Sequence, residues 1–217
     1  MEIFESDAYQ AVLEAVEKAE GRMAPKKRLA VLAALDCFAE YGYDGTSTKL
    51  IAERAGIAEA TIFRHFPSKR DLLLRIAAPV VRHILTPAAS REATELARQH
   101  AGEPRLILRE VMLSRLHFMR VYEPLVKIVL QEILVNQDLR AIFEREVGGL
   151  FQQIAPIVAM FGPKTDLDRE RFFRILGGLL LGYHLQRTLV SPDHGWSDEE
   201  EVDFMVGLIF DGLNATT

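Results

Sequence analysis

The chain has 217 residues, 49% hydrophobic and 26% charged, with 26 basic against 31 acidic side chains and a net charge of −5. That length and composition exclude a disordered polypeptide and leave room for a small module beside a larger body. No run reaches the ~18 uninterrupted apolar residues of a membrane span, the start MEIFESDAY lacks a secretory leader's basic and apolar regions, and the single Cys37 excludes an intrachain disulfide. A cytoplasmic protein without a membrane partner is expected.

The charge is unevenly spread. Residues 1–24 hold two bases and six acids, residues 25–85 ten bases and six acids, and residues 86–217 fourteen bases and nineteen acids. The one basic segment contains GIAEATIFRHFPSKRDLL, which places Arg64, His65, Lys69 and Arg70 within seven residues. A polyanion-binding module on an acidic body has this asymmetry.

Apolar residues recur at helical spacing throughout, and alternating β-branched runs are missing, so an all-α chain is expected. Residues 6–20 predict a short acidic amphipathic helix with Val12, Leu13 and Val16 inward, docked on the body and ended by Gly21. Pro25 suits the first turn of the next helix and Gly42 its C-terminal cap. Lys26, Lys27 and Arg28 open that helix, either facing DNA phosphates or simply solvated. Cys37 shares a face with Ala30, Ala34, Phe38 and Tyr41 and reads as core. Ser47 or Thr48 can cap a helix reaching Ala55, and Gly56 follows where a left-handed backbone is needed. A short helix from Glu59 to His65 stops before Pro67, and Ser68 with Asp71 resembles a capping box that starts another. Beyond Pro87, helices are predicted at about 90–100, 105–122, 124–136, 138–160, 168–190 and 198–213, a bundle with room for a cavity or an interface.

Within the twenty residues from Thr48 to Pro67, Ile51, Ala55, Ile57 and Ile62 fall where a helix-turn-helix packs its two helices. Ala52 falls where only a small side chain allows the close crossing, and Gly56 in the turn. The competing reading is an ordinary αα-hairpin. The stretch AALDCFAEYGYDGTSTKLIAERAGIAEATIFRHFPSKRDLL, Ala33 to Leu73, resembles the DNA-binding domain of the TetR-like (TetR/AcrR) family of bacterial transcriptional regulators. Specific similarity covers about a fifth of the chain.

That resemblance implies a three-helix DNA-binding domain at 25–70, behind an N-terminal acidic extension at 1–24, and a helical effector-binding and dimerisation domain at 71–217. It implies DNA contacts from Thr48 and Lys49 at the start of the second helix, from Thr61, Phe63, Arg64 and His65 on the recognition helix, and from Lys69. Arg64 has the fork to read guanine O6 and N7, while Lys69 adds a point charge for a phosphate. His65 is as readily structural as phosphate-binding. Phe63 stands where the family usually has a tyrosine, Ala58 where a capping serine is common, and Glu59 brings negative charge close to DNA, where facing water is favoured.

The resemblance also implies a homodimer built on the last two helices, through Phe172, Leu176, Gly178, Leu179, Gly182 and Tyr183 on one and Val202, Val206, Ile209 and Leu213 on the other; intramolecular core is the competing reading. Met112, His117, Phe118, Tyr122, Phe143 and Phe151 are the candidates for a pocket taking an apolar or amphipathic effector. No catalytic motif, metal-ligand spacing or cofactor loop is present, so neither an enzyme nor a cofactor is expected. The expected function is a regulator, a repressor released from a double-stranded operator by its effector; the alternatives are a carrier of apolar ligands that has lost operator binding, or a small helical enzyme.

Overall fold

A computed structural model of the chain describes residues 7–82, 86–160 and 166–214. Among the described residues there are helices and no strands: α1 (Asp7–Glu20), α2 (Pro25–Gly45), α3 (Thr48–Ala55), α4 (Glu59–His65), α5 (Lys69–Val80), α6 (Thr86–Gln99), α7 (Pro104–Val121), α8 (Glu123–Ile133), α9 (Gln137–Ala159), α10 (Asp166–Leu185) and α11 (Asp198–Asn214), with a π-helical turn at Gln186–Val190. None of these helices is long and apolar enough to cross a membrane. The chain packs as two compact units, Met1–Pro87 with Tyr122–Val147 and Ala88–Val121 with Gly148–Thr217. Packing therefore draws its lines away from residues 24 and 70: α1, α5, α8 and the first half of α9 share a body with α2–α4.

In the first unit, Val12, Leu13 and Val16 of α1 meet Ala30, Ala34 and Phe38 of α2, Ile51 and Ala52 of α3, Ile62 of α4, Leu72, Leu73 and Ile76 of α5, and Leu125 and Ile128 of α8. The acidic α1 docks as expected. Its one deeply placed polar group is satisfied, since the Tyr9 hydroxyl donates 2.6 Å to the buried Asp36 carboxylate. Burial first, then Asp36, hold that phenol protonated far above its usual range.

Pro25 opens α2 and Gly42 interrupts it, with φ 72° and ψ 174°. Instead of ending there, the helix resumes for one turn to Gly45. Buried Thr46 closes the kink, its hydroxyl 2.9 Å from the Cys37 carbonyl and 2.7 Å from that of Gly42. Ser47 caps α3 by accepting from the Leu50 amide at 3.0 Å, and Gly56 ends it at φ 64°. Ser68 caps α5 by accepting from the Asp71 amide at 3.0 Å. The Asp71 carboxylate does not complete a reciprocal box; it pairs with Arg75 at 2.8 Å.

In the second unit, Ile107, Leu108, Met112 and Leu116 of α7 pack with Phe172, Leu176, Leu180 and Tyr183 of α10 and Val202, Met205, Val206 and Ile209 of α11. Arg105–Asp211 at 2.6 Å and Arg109–Asp203 at 2.7 Å line the exposed edge of the α7–α11 contact. Exposed pairs contribute at most ~1 kcal/mol each, whereas each buried Leu, Ile or Phe contributes ~1.5–3 kcal/mol. The apolar seam therefore sets the packing. At the N-terminus of α11 the buried Asp198 carboxylate accepts from the Tyr183 hydroxyl at 2.8 Å and faces Arg120 at 2.6 Å and Arg187. Burial first, then the Asp198 bond, push the Tyr183 phenol up to about 12.

Candidate nucleic-acid interface

Ile62 and Phe66 lie four residues apart, and both are buried to within 1%. They fasten α4 to the core from one side and so turn the intervening face outward. On that face Phe63 is 48% exposed, Arg64 is exposed, and Thr61 and His65 are half-buried. Among the described residues no acid pairs with Arg64. Ala52, 3% exposed, lets α3 and α4 approach closely, and the Ile57 amide donates 3.1 Å to its carbonyl across the turn.

The starts of the two helices are tied together, because the Thr48 hydroxyl donates 2.6 Å to the Glu59 carboxylate. Glu59, expected to face water, instead has a partner in the neighbouring helix. Ala58 makes no side-chain cap for α4, as its lack of a hydroxyl requires. Thr48 is thus both an expected DNA contact and an internal fastener. Lys49 is exposed and makes only a loose pair with Glu53 at 3.9 Å, one turn on.

Lys69 does more than the sequence suggests. Its ammonium donates 2.6 Å to the Tyr43 carbonyl and 2.7 Å to that of Thr46, and lies 4.1 Å from the centre of the Tyr43 ring. Two of its three N–H donors therefore close the turn that leads into α3. Next to it, Arg70 pairs with Asp138 of α9 at 2.6 Å. Burial first, then Arg64 and Lys27, hold the His65 imidazole below its usual range. Lys27 and Arg28 are also engaged, with Glu20 at 2.6 Å and Glu17 at 2.8 Å of α1. Lys26 remains exposed.

The geometry is that of a helix-turn-helix with an outward second helix, and residues 31–76 match the family model for bacterial regulatory proteins of the tetR family. The chain belongs to the tetR family. It is similar to the HTH-type transcriptional regulator RutR of Escherichia coli K12, 25% identical over 130 residues, covering 60% of this chain and 58% of that one. The match thus spans less than two thirds of that relative. The HTH-type transcriptional repressor AcnR of Corynebacterium diphtheriae is 31% identical over 68 residues, 31% of this chain and 36% of its own length. The solved FadR of Bacillus subtilis, in complex with stearoyl-CoA, shares the fold at a TM-score of 0.62 and 17% identity, over 86% of this chain and 98% of that one.

Outside its DNA-binding helices, this tetR-family chain departs from the faces expected of it. Phe172, Leu176, Tyr183, Val202, Val206 and Ile209, expected at a subunit interface, are all 9% exposed or less and form the second unit's own core. A heptad-like apolar pattern marks a buried face without saying who buries it, and here the unit itself buries most of the stripe. Gly178 and Gly182 do lie outward, with nothing within 4 Å of a side chain built on either, and Leu179 is half-buried. Beside them Ile175 is 57% exposed, and on α11 Phe204 is 68% and Leu208 56% exposed. Leu213 lies outside the described side chains.

The six candidate pocket residues are divided between the two units. Tyr122 and Phe143 belong to the first unit and Met112, His117, Phe118 and Phe151 to the second. Met112 is fully buried core, His117 is exposed, and Phe151 packs edge-on to Phe173 at 5.6 Å. A depression of about 840 Å³ on the first unit lies between α1 and α2, against Met23, Pro25, Leu29 and Leu32. Among the described residues no three His, Cys, Asp or Glu gather as metal ligands.

Proposed function

We propose that the chain is a homodimeric, sequence-specific regulator of transcription, a repressor that a small apolar or amphipathic effector releases from its double-stranded DNA operator. The observation that carries this reading is the outward face of α4: Ile62 and Phe66 fix the helix, and Arg64 projects without an acidic partner among the described residues. A guanidinium so placed can bind guanine O6 and N7 in the major groove. Thr48, Lys49, Thr61, Phe63 and His65 surround it, and Lys69 acts through the turn it closes and the one N–H it keeps.

Repression follows the name of the AcnR relative. Stearoyl-CoA is the ligand of the solved FadR; in the second unit of this chain, Arg115 supports the reading of an amphipathic effector. The Arg115 guanidinium lies 5.5 Å from the Phe118 ring centre, and burial holds its pKa below the usual arginine range. That guanidinium, which also donates 3.1 Å to the Ser114 hydroxyl, suits the anionic end of an amphipathic ligand. Dimerisation through Ile175, Gly178 and Gly182 of α10 with Phe204 and Leu208 of α11 would give the two recognition helices that half-sites about 34 Å apart require.

The test is fluorescence anisotropy of the full chain on the DNA upstream of its own gene against scrambled DNA. Selective binding that Arg64→Ala relaxes is expected. Binding that is equally weak on both, and indifferent to Arg64→Ala, would overturn the reading.

A further inference from the structure

The N-terminal helix α1 is acidic, and its acids fall on particular partners. Glu20 accepts from the Lys27 ammonium at 2.6 Å and lies 3.7 Å from the Arg75 guanidinium. Glu17 accepts from Arg28 at 2.8 Å and from the Met23 amide at 3.1 Å. The Lys27 and Glu20 side chains are only 16% and 21% exposed, so water screens this pair less than an ordinary surface pair. All three cations belong to the basic segment of the chain.

Their place matters more than their number. The Lys27 ammonium stands 5.5 Å from the ring centre of Phe66, the residue that ends the recognition helix. It is also among the charges that depress His65, the last residue of that helix. Lys27 therefore sits at the C-terminal end of α4, against the ring that anchors it, with a carboxylate already on it. Apolar burial of Val12, Leu13 and Val16 keeps α1 in position whether or not DNA is present.

We propose that α1 is a built-in counter-charge, in which Glu20 and Glu17 compete with backbone phosphates for Lys27 and Arg28 and hold down affinity for DNA of any sequence. The proposal rests on the reading that the chain binds DNA. Non-specific binding is almost wholly electrostatic and grows with each phosphate neutralised, whereas base reading by Arg64 does not depend on these cations. Masking them lowers affinity for specific and non-specific DNA alike and leaves the ratio between them, which base reading sets, unchanged.

The test uses the full chain and a fluorescent duplex of scrambled sequence, titrated across a series of salt concentrations. Releasing one phosphate contact should steepen the slope of log K against log salt by about 0.9, an affinity gain of up to about eightfold near 0.1 M salt. Glu20→Gln should show that gain. Glu14→Gln removes the same charge from an exposed position on α1 that makes no ion pair among the described residues, and should show none. Lys27→Gln added to Glu20→Gln should cancel the gain. Glu17→Gln, which frees Arg28, is the second variant should Glu20→Gln fail to fold by circular dichroism. Wild-type affinity and slope in Glu20→Gln, or an equal gain in Glu14→Gln, would overturn the proposal. If the wild type does not bind the scrambled duplex, binding gained by Glu20→Gln supports the proposal, and no binding by either overturns the counter-charge, the regulator reading being overturned only if the upstream DNA is not bound either; wild-type binding that Glu20→Gln leaves unchanged sinks the counter-charge alone.

Discussion

Thr48 at the start of α3 and Glu59 at the start of α4 share a 2.6 Å hydrogen bond that joins the two helices of the DNA-binding motif at their N-terminal ends. A part-buried bond to a charged acceptor contributes on the order of 1–2 kcal/mol. Thr48→Val and Glu59→Gln should each lower stability by about that much. In a double-mutant cycle read by chemical denaturation the two losses should fall short of additivity by about 1 kcal/mol. Strict additivity would mean that the bond contributes nothing to the folded motif.

Lys69 invites a similar separation of roles. A lysine that served only a phosphate would leave the free protein's stability untouched when replaced. Here Lys69→Met strands the carbonyls of Tyr43 and Thr46, so a loss of about 2 kcal/mol is expected from charge-assisted bonds in a part-buried setting. Arg64→Ala, on an exposed side chain, should stay within about 0.5 kcal/mol of wild type in the same melts. Equal melting temperatures for the two variants would return Lys69 to a purely DNA-facing role.

His65 gives the site a pH dependence of defined sign. Its imidazole is held below the usual value of 6.5 in the folded chain, by burial first and then by Arg64 and Lys27. The unfolded chain therefore binds more protons just below pH 6.5, and folded stability falls as pH drops through that window toward the folded pKa. Phosphate acts oppositely, favouring the imidazolium, so binding should take up a proton and affinity for DNA should rise over the same window. An NMR titration of the free protein should place the His65 midpoint below 6.5, and His65→Gln should flatten that part of the affinity profile. A profile unchanged by His65→Gln would remove this residue from the interface.

The helices and their caps were legible because each rests on local chemistry: Ser47 and Ser68 needed only a free amide to accept from, and Gly56 only a left-handed turn. The face of α4 was legible too, since Ile62 and Phe66 could point only one way. What the sequence did not disclose were bonds made across the fold. Lys69 reaches back twenty-six residues to the Tyr43 carbonyl, and a backbone acceptor leaves no mark in composition. Glu59 carried a visible charge, but nothing in its neighbourhood named Thr48 as its partner. The same gap explains the interface on α10 and α11, where both faces of each helix carry large apolar side chains and periodicity alone cannot say which one meets another chain.

Those two faces now make opposite predictions. Val206 is 6% exposed within the second unit's core, whereas Phe204, two residues earlier, is 68% exposed. Two positions along a helix turn a side chain by about 200°, so the pair samples opposite sides of α11. Val206→Asp buries a carboxylate without a partner and should cost about 3–5 kcal/mol, enough to unfold much of the unit. Phe204→Asp, alone or with Leu208→Asp, should leave the circular dichroism spectrum and the monomer's fold unchanged. If the outward face is the subunit interface, the same change sets like charges against each other across a two-fold axis and shifts the chain from dimer to monomer in sedimentation velocity. DNA affinity should fall with it, because a monomer engages one half-site and loses the gain of the second. A Phe204→Asp, Leu208→Asp variant that still sediments as a dimer would place the interface elsewhere, whereas an intact fold in Val206→Asp would overturn the assignment of that stripe to the chain's own core.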